Sequence, residues 1–338
     1  MMSNNYLTTE KKKIYYGMDF LKLVCALLIV LMHSNCRDIP QNTGSIGHWM
    51  LSIFPQVSVP FFFVVSGFFL TKGIMKRQEP KEYVRSYFLR IFKMYVFWSV
   101  ATLPLSWMCI EAGHPDFPLY LKCIYLVRMF LISGSLGIYW YILSMLYVSV
   151  IFYYCEKYHK IKWMYAVAFA LWILGLLYDS KYNTDSGIFT FIHVVFSSSR
   201  NFLNVGLIYM SVGHFMAHHE NKIRLPWALV IAIVIASWIL KRYDFDLLHV
   251  PFGNLLVAIS LFLLAQKLEM NWLAKHSLHV RKLSTAIYLG QFPFLLVFDF
   301  YLRKGTLFDF SLAVFFCIIL YLWVITLLPK KWSDIIYG

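Results

Sequence analysis

Apolar stretches long enough to cross a bilayer recur ten times along the 338 residues, at about 18–35, 56–73, 87–109, 137–155, 162–178, 201–217, 225–240, 252–267, 283–300 and 307–328. Roughly 20 residues of helix cover about 30 Å of hydrocarbon. Lipid offers no partner to a bare N–H or C=O, so segments this long and this apolar must close their own hydrogen bonds as helices. The expected fold class is therefore all-α, a polytopic integral membrane protein with about ten transmembrane helices. Only 14% of residues are charged, against roughly 25% in a soluble domain. With 60% hydrophobic and 19% aromatic residues, a soluble globular protein is excluded.

The 31 Lys+Arg against 17 Asp+Glu leave a formal net charge of +14. These basic residues stand in short runs between apolar segments, the pattern of membrane topology rather than of a nucleic-acid surface. With both termini inside, 21 of them fall on inner segments and nine on outer ones. The inner set includes Lys11 to Lys13, the run from Lys72 to Lys93, and Lys330 and Lys331. The positive-inside rule then places both termini in the cytoplasm and makes membrane lipid a partner. Lys11 to Lys13 precede a long apolar helix without a small-residue cleavage site, so an uncleaved anchor is expected. The division read from this pattern is a cytoplasmic segment 1–17, one membrane domain 18–328 and a cytoplasmic tail 329–338. Residues 119–133, with Lys122 and Arg128 among Leu and Ile, read as an amphipathic helix on the outer surface or one dipping into the bilayer.

Six cysteines without a CxxC pair give no metal site and no redox motif. The first span carries Asp19, Lys22 and His33, and ionisable groups within a span usually face the protein interior and mark function. Lys22 and His33 are eleven residues apart, so they share a helix face at about 16 Å separation along the axis. Asp19 can also pair with Lys22 at i,i+3, which would make an interfacial ion pair with His33 at the opposite surface. In the second span, Ser66-Gly67 suits close helix packing. Tyr139, Trp140 and Tyr141 read as an interfacial aromatic belt. His193, His214, His218, His219, Asp299 and Asp309 read as helix-end or surface groups, and Glu111 and Asp116 as outer-loop carboxylates within reach of a sugar.

These segments together resemble the membrane-bound acyltransferase-3 family, integral-membrane O-acyltransferases of bacterial surface glycans. The matching positions are Lys22 and His33, ten residues between them, then Val59-Pro60-Phe61-Phe62-Phe63-Val64-Val65-Ser66-Gly67-Phe68. Further matches are the basic stretch Arg85 to Lys93, Tyr139-Trp140-Tyr141-Ile142-Leu143, Ser199-Arg200-Asn201 through Gly213, and Leu283-Ser284-Thr285-Ala286-Ile287-Tyr288-Leu289. Two positions depart: Lys22 stands where the family usually has Arg, and Gly290-Gln291 follow where it often has His. The resemblance implies acyl transfer from acyl-CoA, commonly acetyl-CoA, to a hydroxyl of a surface polysaccharide or its lipid-linked precursor, in a bacterial cytoplasmic membrane and without a metal. His33 would be the base and Lys22 a positioning or donor-binding charge. Arg85, Arg90 and Lys93 would hold the CoA phosphates, while Ser66, Trp140 and Arg200 would serve the acceptor or the scaffold. A carrier or flippase for a small or lipid-linked solute, and an inert family member acting in a glycan-synthesis complex, are the other readings of the same pattern.

Overall fold

The computed structural model describes residues 14–34, 55–179, 200–223, 225–247, 253–301 and 306–338, with single positions at 187, 190, 195, 196 and 198. Among the described residues the chain is helical throughout, without a strand. The principal helices are α1 (Tyr16–His33), α2 (Ser58–Met75), α3 (Pro80–Ala101), α4 (Leu103–Gly113) and α5 (Leu119–Arg128). There follow α6 (Trp140–Lys157), α7 (Ile161–Asp179), α8 (Leu207–His219), α9 (Trp227–Leu247) and α10 (Gly253–Lys267). The last three are α11 (Ser277–Tyr301), α12 (Thr306–Leu327) and α13 (Lys330–Tyr337).

Each of the ten apolar stretches contains a helix, yet among the described residues four helices can cross a membrane by length and composition: α1, α2, α7 and α12. A fifth is gained if α3 and α4 count as one span, bent by 59°. The bend has a local cause. Pro104 sits in the first turn of α4, and a proline ring removes one N–H and clashes with the carbonyl four residues back. The expected single span at 87–109 is therefore broken at Thr102, whose hydroxyl donates to the Trp98 carbonyl at 2.8 Å. Helices α9 and α10 offer shorter apolar runs, Trp227–Lys241 and Gly253–Lys267. Helix α11 carries Arg281, Lys282 and a fully buried Gln291. In such helices the bundle interior takes polar side chains, which lowers their mean apolarity.

The strongest packing joins α2 to α8, α1 to α11 and α9 to α10. Two glycines allow the first. A Cβ on Gly67 would lie 2.2 Å from the Met210 carbonyl oxygen, and one on Gly213 would lie 2.0 Å from that of Val64. Only bare backbone fits at this crossing, the close approach that drives helix association where lipid competes for apolar contact.

Polar contacts report helix direction. The Tyr15 hydroxyl donates to Glu220 Oε1 at 2.6 Å, and Lys72 Nζ reaches Glu220 Oε2 at 2.6 Å. The start of α1 and the ends of α2 and α8 thus share one face of the bundle. Helices α1 and α11 run parallel, with Asp19 bonded to Arg281 at one end and His33 against Phe292 at the other. Two lysines counted among outer-segment charges are drawn inward: Lys122 is bonded to Glu111 at 2.6 Å, and Lys241 to Asn254. Residues 119–133 form α5 followed by a π-turn at Met129–Ser133. The terminal segment is itself helical, with Ile336 and Tyr337 buried and the Trp98 indole donating to the Ile336 carbonyl at 2.9 Å.

Candidate functional site

Two polar clusters lie at the two ends of α1. At its start, Asp19 is almost wholly buried and accepts from Arg281 Nε at 3.2 Å, Arg281 Nη2 at 3.0 Å and Ser277 Oγ at 3.1 Å. The local i,i+3 partnership with Lys22 gives way to Arg281, whose planar fork matches a carboxylate in a way an ammonium cannot. Lys22 is left as a half-buried cation within electrostatic range of Asp19, Arg281 and Arg90. Three cations around one carboxylate leave a local positive excess facing α3. Arg90 flanks the buried stripe of that helix, its guanidinium 5.6 Å from the Tyr87 ring centroid. Arg85 and Lys93 are exposed on the same helix, Lys93 beside the exposed Leu89 and Phe92.

At the other end, His33 closes the last turn of α1 with its Nδ1 buried. Phe292 meets the imidazole edge-to-face at 5.5 Å between centroids. Gln291, fully buried, lies within interaction range of His33, as does the charge of Arg200. Among the described residues neither His33 Nδ1 nor Gln291 Oε1 completes a hydrogen bond, an unusual state for buried polar atoms. Gln291 Nε2 is held by the Tyr288 carbonyl at 3.2 Å, so its oxygen is the end left free. Arg200 itself is exposed, and Asn201 beside it caps the following turn by accepting from Leu203 N and Asn204 N at 2.9 and 3.0 Å.

The residues read as an aromatic belt lie inside the bundle. Tyr139 is fully buried and Tyr141 nearly so. Pro293 interrupts α11 and leaves the carbonyl of Leu289, four residues earlier, without its helical donor. The Tyr139 hydroxyl donates to that carbonyl at 3.1 Å, and in return the Tyr288 hydroxyl donates to the Ile138 carbonyl at 3.1 Å. The segments Tyr139-Trp140-Tyr141 and Ile287-Tyr288-Leu289 are thus cross-bonded just ahead of Gln291 and Phe292, the residues beside His33. Ser66 Oγ lies 2.9 Å from the Tyr141 hydroxyl, and Trp140 packs on Phe63 at 5.5 Å.

The structure thus places Lys22 within electrostatic range of Arg90 and His33 within that of Arg200, and hydrogen-bonds Ser66 to Tyr141. Asp19, Arg281 and Gln291 join these clusters without having been singled out as site residues by sequence. A proline in mid-span was the available signal for Tyr139, since it obliges some donor to meet the freed carbonyl. His193 and the side chain of Asp299 lie outside the described residues. His214 and Asp309, read as surface groups, are buried.

A family model described as an acyltransferase domain matches residues 15–328, nearly the whole chain. The chain belongs to acyltransferase family 3. Two curated relatives, both named amino-acid racemase and both from Enterococcus faecalis, are also similar. One is 27% identical over 221 residues, covering 63% of this chain and 30% of the relative. The other is 22% identical over 275 residues, covering 77% of this chain and 38% of the relative. The chain therefore spans about a third of the length of the curated relatives it matches. No solved structure matches. The stretch matched by the family model runs through both clusters, from the residue before α1 to the end of α12.

Proposed function

We propose that this protein transfers an acyl group, acetyl from acetyl-CoA, to a hydroxyl of a surface polysaccharide or its lipid-linked precursor at a bacterial cytoplasmic membrane, with both termini cytoplasmic. The observation that carries the reading is the pair of polar clusters set about 16 Å apart along α1, in a chain of acyltransferase family 3. That span is comparable to an extended pantetheine arm. Lys22, Arg90 and Arg281 have the charge to hold CoA phosphates, while Arg85 and Lys93 raise the local positive potential at the surface. His33 accepts the proton of the acceptor hydroxyl as its oxygen attacks the thioester carbonyl. The new C–O bond forms, the C–S bond breaks, and the same proton leaves with the CoA thiolate. Gln291 Oε1 and the Arg200 charge have the chemistry to orient the acceptor, with Ser66, Tyr141 and Trp140 supporting the wall between the clusters.

The name of the curated relatives, amino-acid racemase, favours a second reading, in which this membrane bundle carries a small, polar, amino-acid-like solute. Comparison of surface glycans from strains with and without the gene, by mass spectrometry, separates the two. Loss of an acyl-sized mass supports transfer. Unchanged glycans, together with unchanged hydrolysis of acyl-CoA in membranes, would leave the carrier reading standing.

A further inference from the structure

Away from both clusters, three side chains converge where the ends of α6 and α8 meet. His214 and His218 are four residues apart on α8 and so project from one face. Glu156, in the last turn of α6, places Oε1 2.6 Å from His214 Nε2 and 3.3 Å from His218 Nε2. The three potential ligand atoms lie within 4.8 Å of one another.

We propose that Glu156, His214 and His218 bind one divalent transition-metal ion of the zinc class. Two imidazoles and one carboxylate are the donor set that leaves zinc a fourth, open position. Ligand atoms around a tetrahedral zinc with bonds of about 2.0–2.1 Å stand roughly 3.3 Å apart, the spacing Glu156 and His218 already have. The Glu156–His214 pair must open by about 0.7 Å, and Glu156 is exposed enough to move, its side chain retaining 28% of its accessible surface. His218 is 37% exposed, so an ion has a way in. Buried His214 is already oriented for the role: the Tyr165 hydroxyl on α7 lies 2.7 Å from its Nδ1 and turns Nε2 toward the cluster. A metal-bound histidine almost always has such an outer partner on its other nitrogen. A bound ion would expel any proton shared in the His–Glu pair and would clip α6 to α8, with α7 attached through Tyr165.

The test needs no acyl transfer, so its outcome is independent of the proposed function. The full chain, purified in detergent with a tag free of histidine and stripped with chelator, is dialysed against zinc chloride, and bound metal is counted by mass spectrometry. The expected result is about one zinc per chain, undiminished by excess magnesium. His218→Ala and Glu156→Gln should bind at least tenfold more weakly, and Tyr165→Phe about 10–100-fold more weakly, as removal of an outer-shell partner does. His276→Ala, an exposed histidine elsewhere, should bind like the unaltered chain. Because substitution of buried His214 can disturb folding, the partly exposed His218 carries the comparison. Zinc binding well below one per chain at micromolar concentration, or equal binding by His218→Ala and the unaltered protein, overturns the proposal.

Discussion

Replacing His33 with Ala separates a catalytic from a packing role for the buried imidazole at the end of α1. General-base catalysis supplies about 10²–10⁴-fold in rate, which at 1.36 kcal/mol per tenfold is about 2.7–5.4 kcal/mol of barrier. The folding cost should be smaller. His33 Nδ1 makes no hydrogen bond among the described residues, and the ring's one described aromatic contact is edge-to-face with Phe292 at 5.5 Å, the kind of pair worth about 0.5–1.5 kcal/mol. The variant should therefore insert and melt near normally while turnover falls at least a hundredfold. Its apparent Michaelis constant for acyl-CoA should hold, because Lys22 stands about 16 Å away along the helix. Thiol release from acetyl-CoA by purified protein in nanodiscs, measured beside a thermal melt, reads both quantities. Turnover within threefold of normal in a variant with a normal melt would refute His33 as the base.

Lys22→Ala and Arg90→Ala should fail in the opposite sense, raising the donor Michaelis constant several-fold with a salt-dependent effect, whereas Lys22→Arg keeps the charge and should be tolerated; equal donor dependence in all three would return these residues to a topological role. Gly67→Ala sets a methyl 2.2 Å from the Met210 carbonyl oxygen and should destabilise by about 1–3 kcal/mol, the usual cost of overpacking, visible as a lowered melting midpoint. Tyr139→Phe strands the Leu289 carbonyl beside Pro293 and should cost about 1–3 kcal/mol, the penalty of an unsatisfied buried acceptor; an unchanged melting midpoint would mean that another donor replaces it. Reporter fusions after Lys81 and after Gly338 should both read cytoplasm and one near Gly47 the outside, an outside signal after Lys81 being incompatible with the topology proposed from the basic residues.

Helix positions were legible because a lipid-facing segment must be apolar whatever it packs against, so α1, α2, α7 and α12 announce themselves locally. Helices α8 and α10 are short, 13 and 15 residues, and the buried polar contacts of the bundle join residues far apart in the chain. Asp19 had a neighbour at i,i+3 in Lys22, and no local rule reveals that a guanidinium 262 positions later takes the carboxylate instead. The same holds for Gln291 beside His33. Its place depends on the packing of α11 against α1 and on Tyr139, just ahead of α6, donating to the Leu289 carbonyl that Pro293 leaves without a helical donor. His214 and His218 read from sequence as helix-end or surface groups, and their convergence rests on Glu156, which reaches them because α6 and α8 end on the same side of the bundle.

Parallel packing of α1 and α11 explains why the polar residues fall into two groups rather than one. Asp19 meets Arg281, and ten residues further along α11, about 15 Å of rise, Gln291 lies by the end of α1, fourteen residues or about 21 Å beyond Asp19. Within the bundle, the rings of Phe62, Tyr141 and Tyr288 pack 5.5–5.9 Å apart. On the proposed function, a long thin donor would be gripped by its phosphates at Lys22 and react at His33. With Arg281 already committed to Asp19, the cations left to meet a phosphate are Arg90 and Lys22, and Lys22 offers an ammonium. An ammonium binds phosphate as a point charge without the bidentate geometry of a guanidinium. Donor affinity should therefore rise in Lys22→Arg, unless the arginine competes with Arg281 for Asp19, in which case the gain in affinity is replaced by a fall in the melting midpoint.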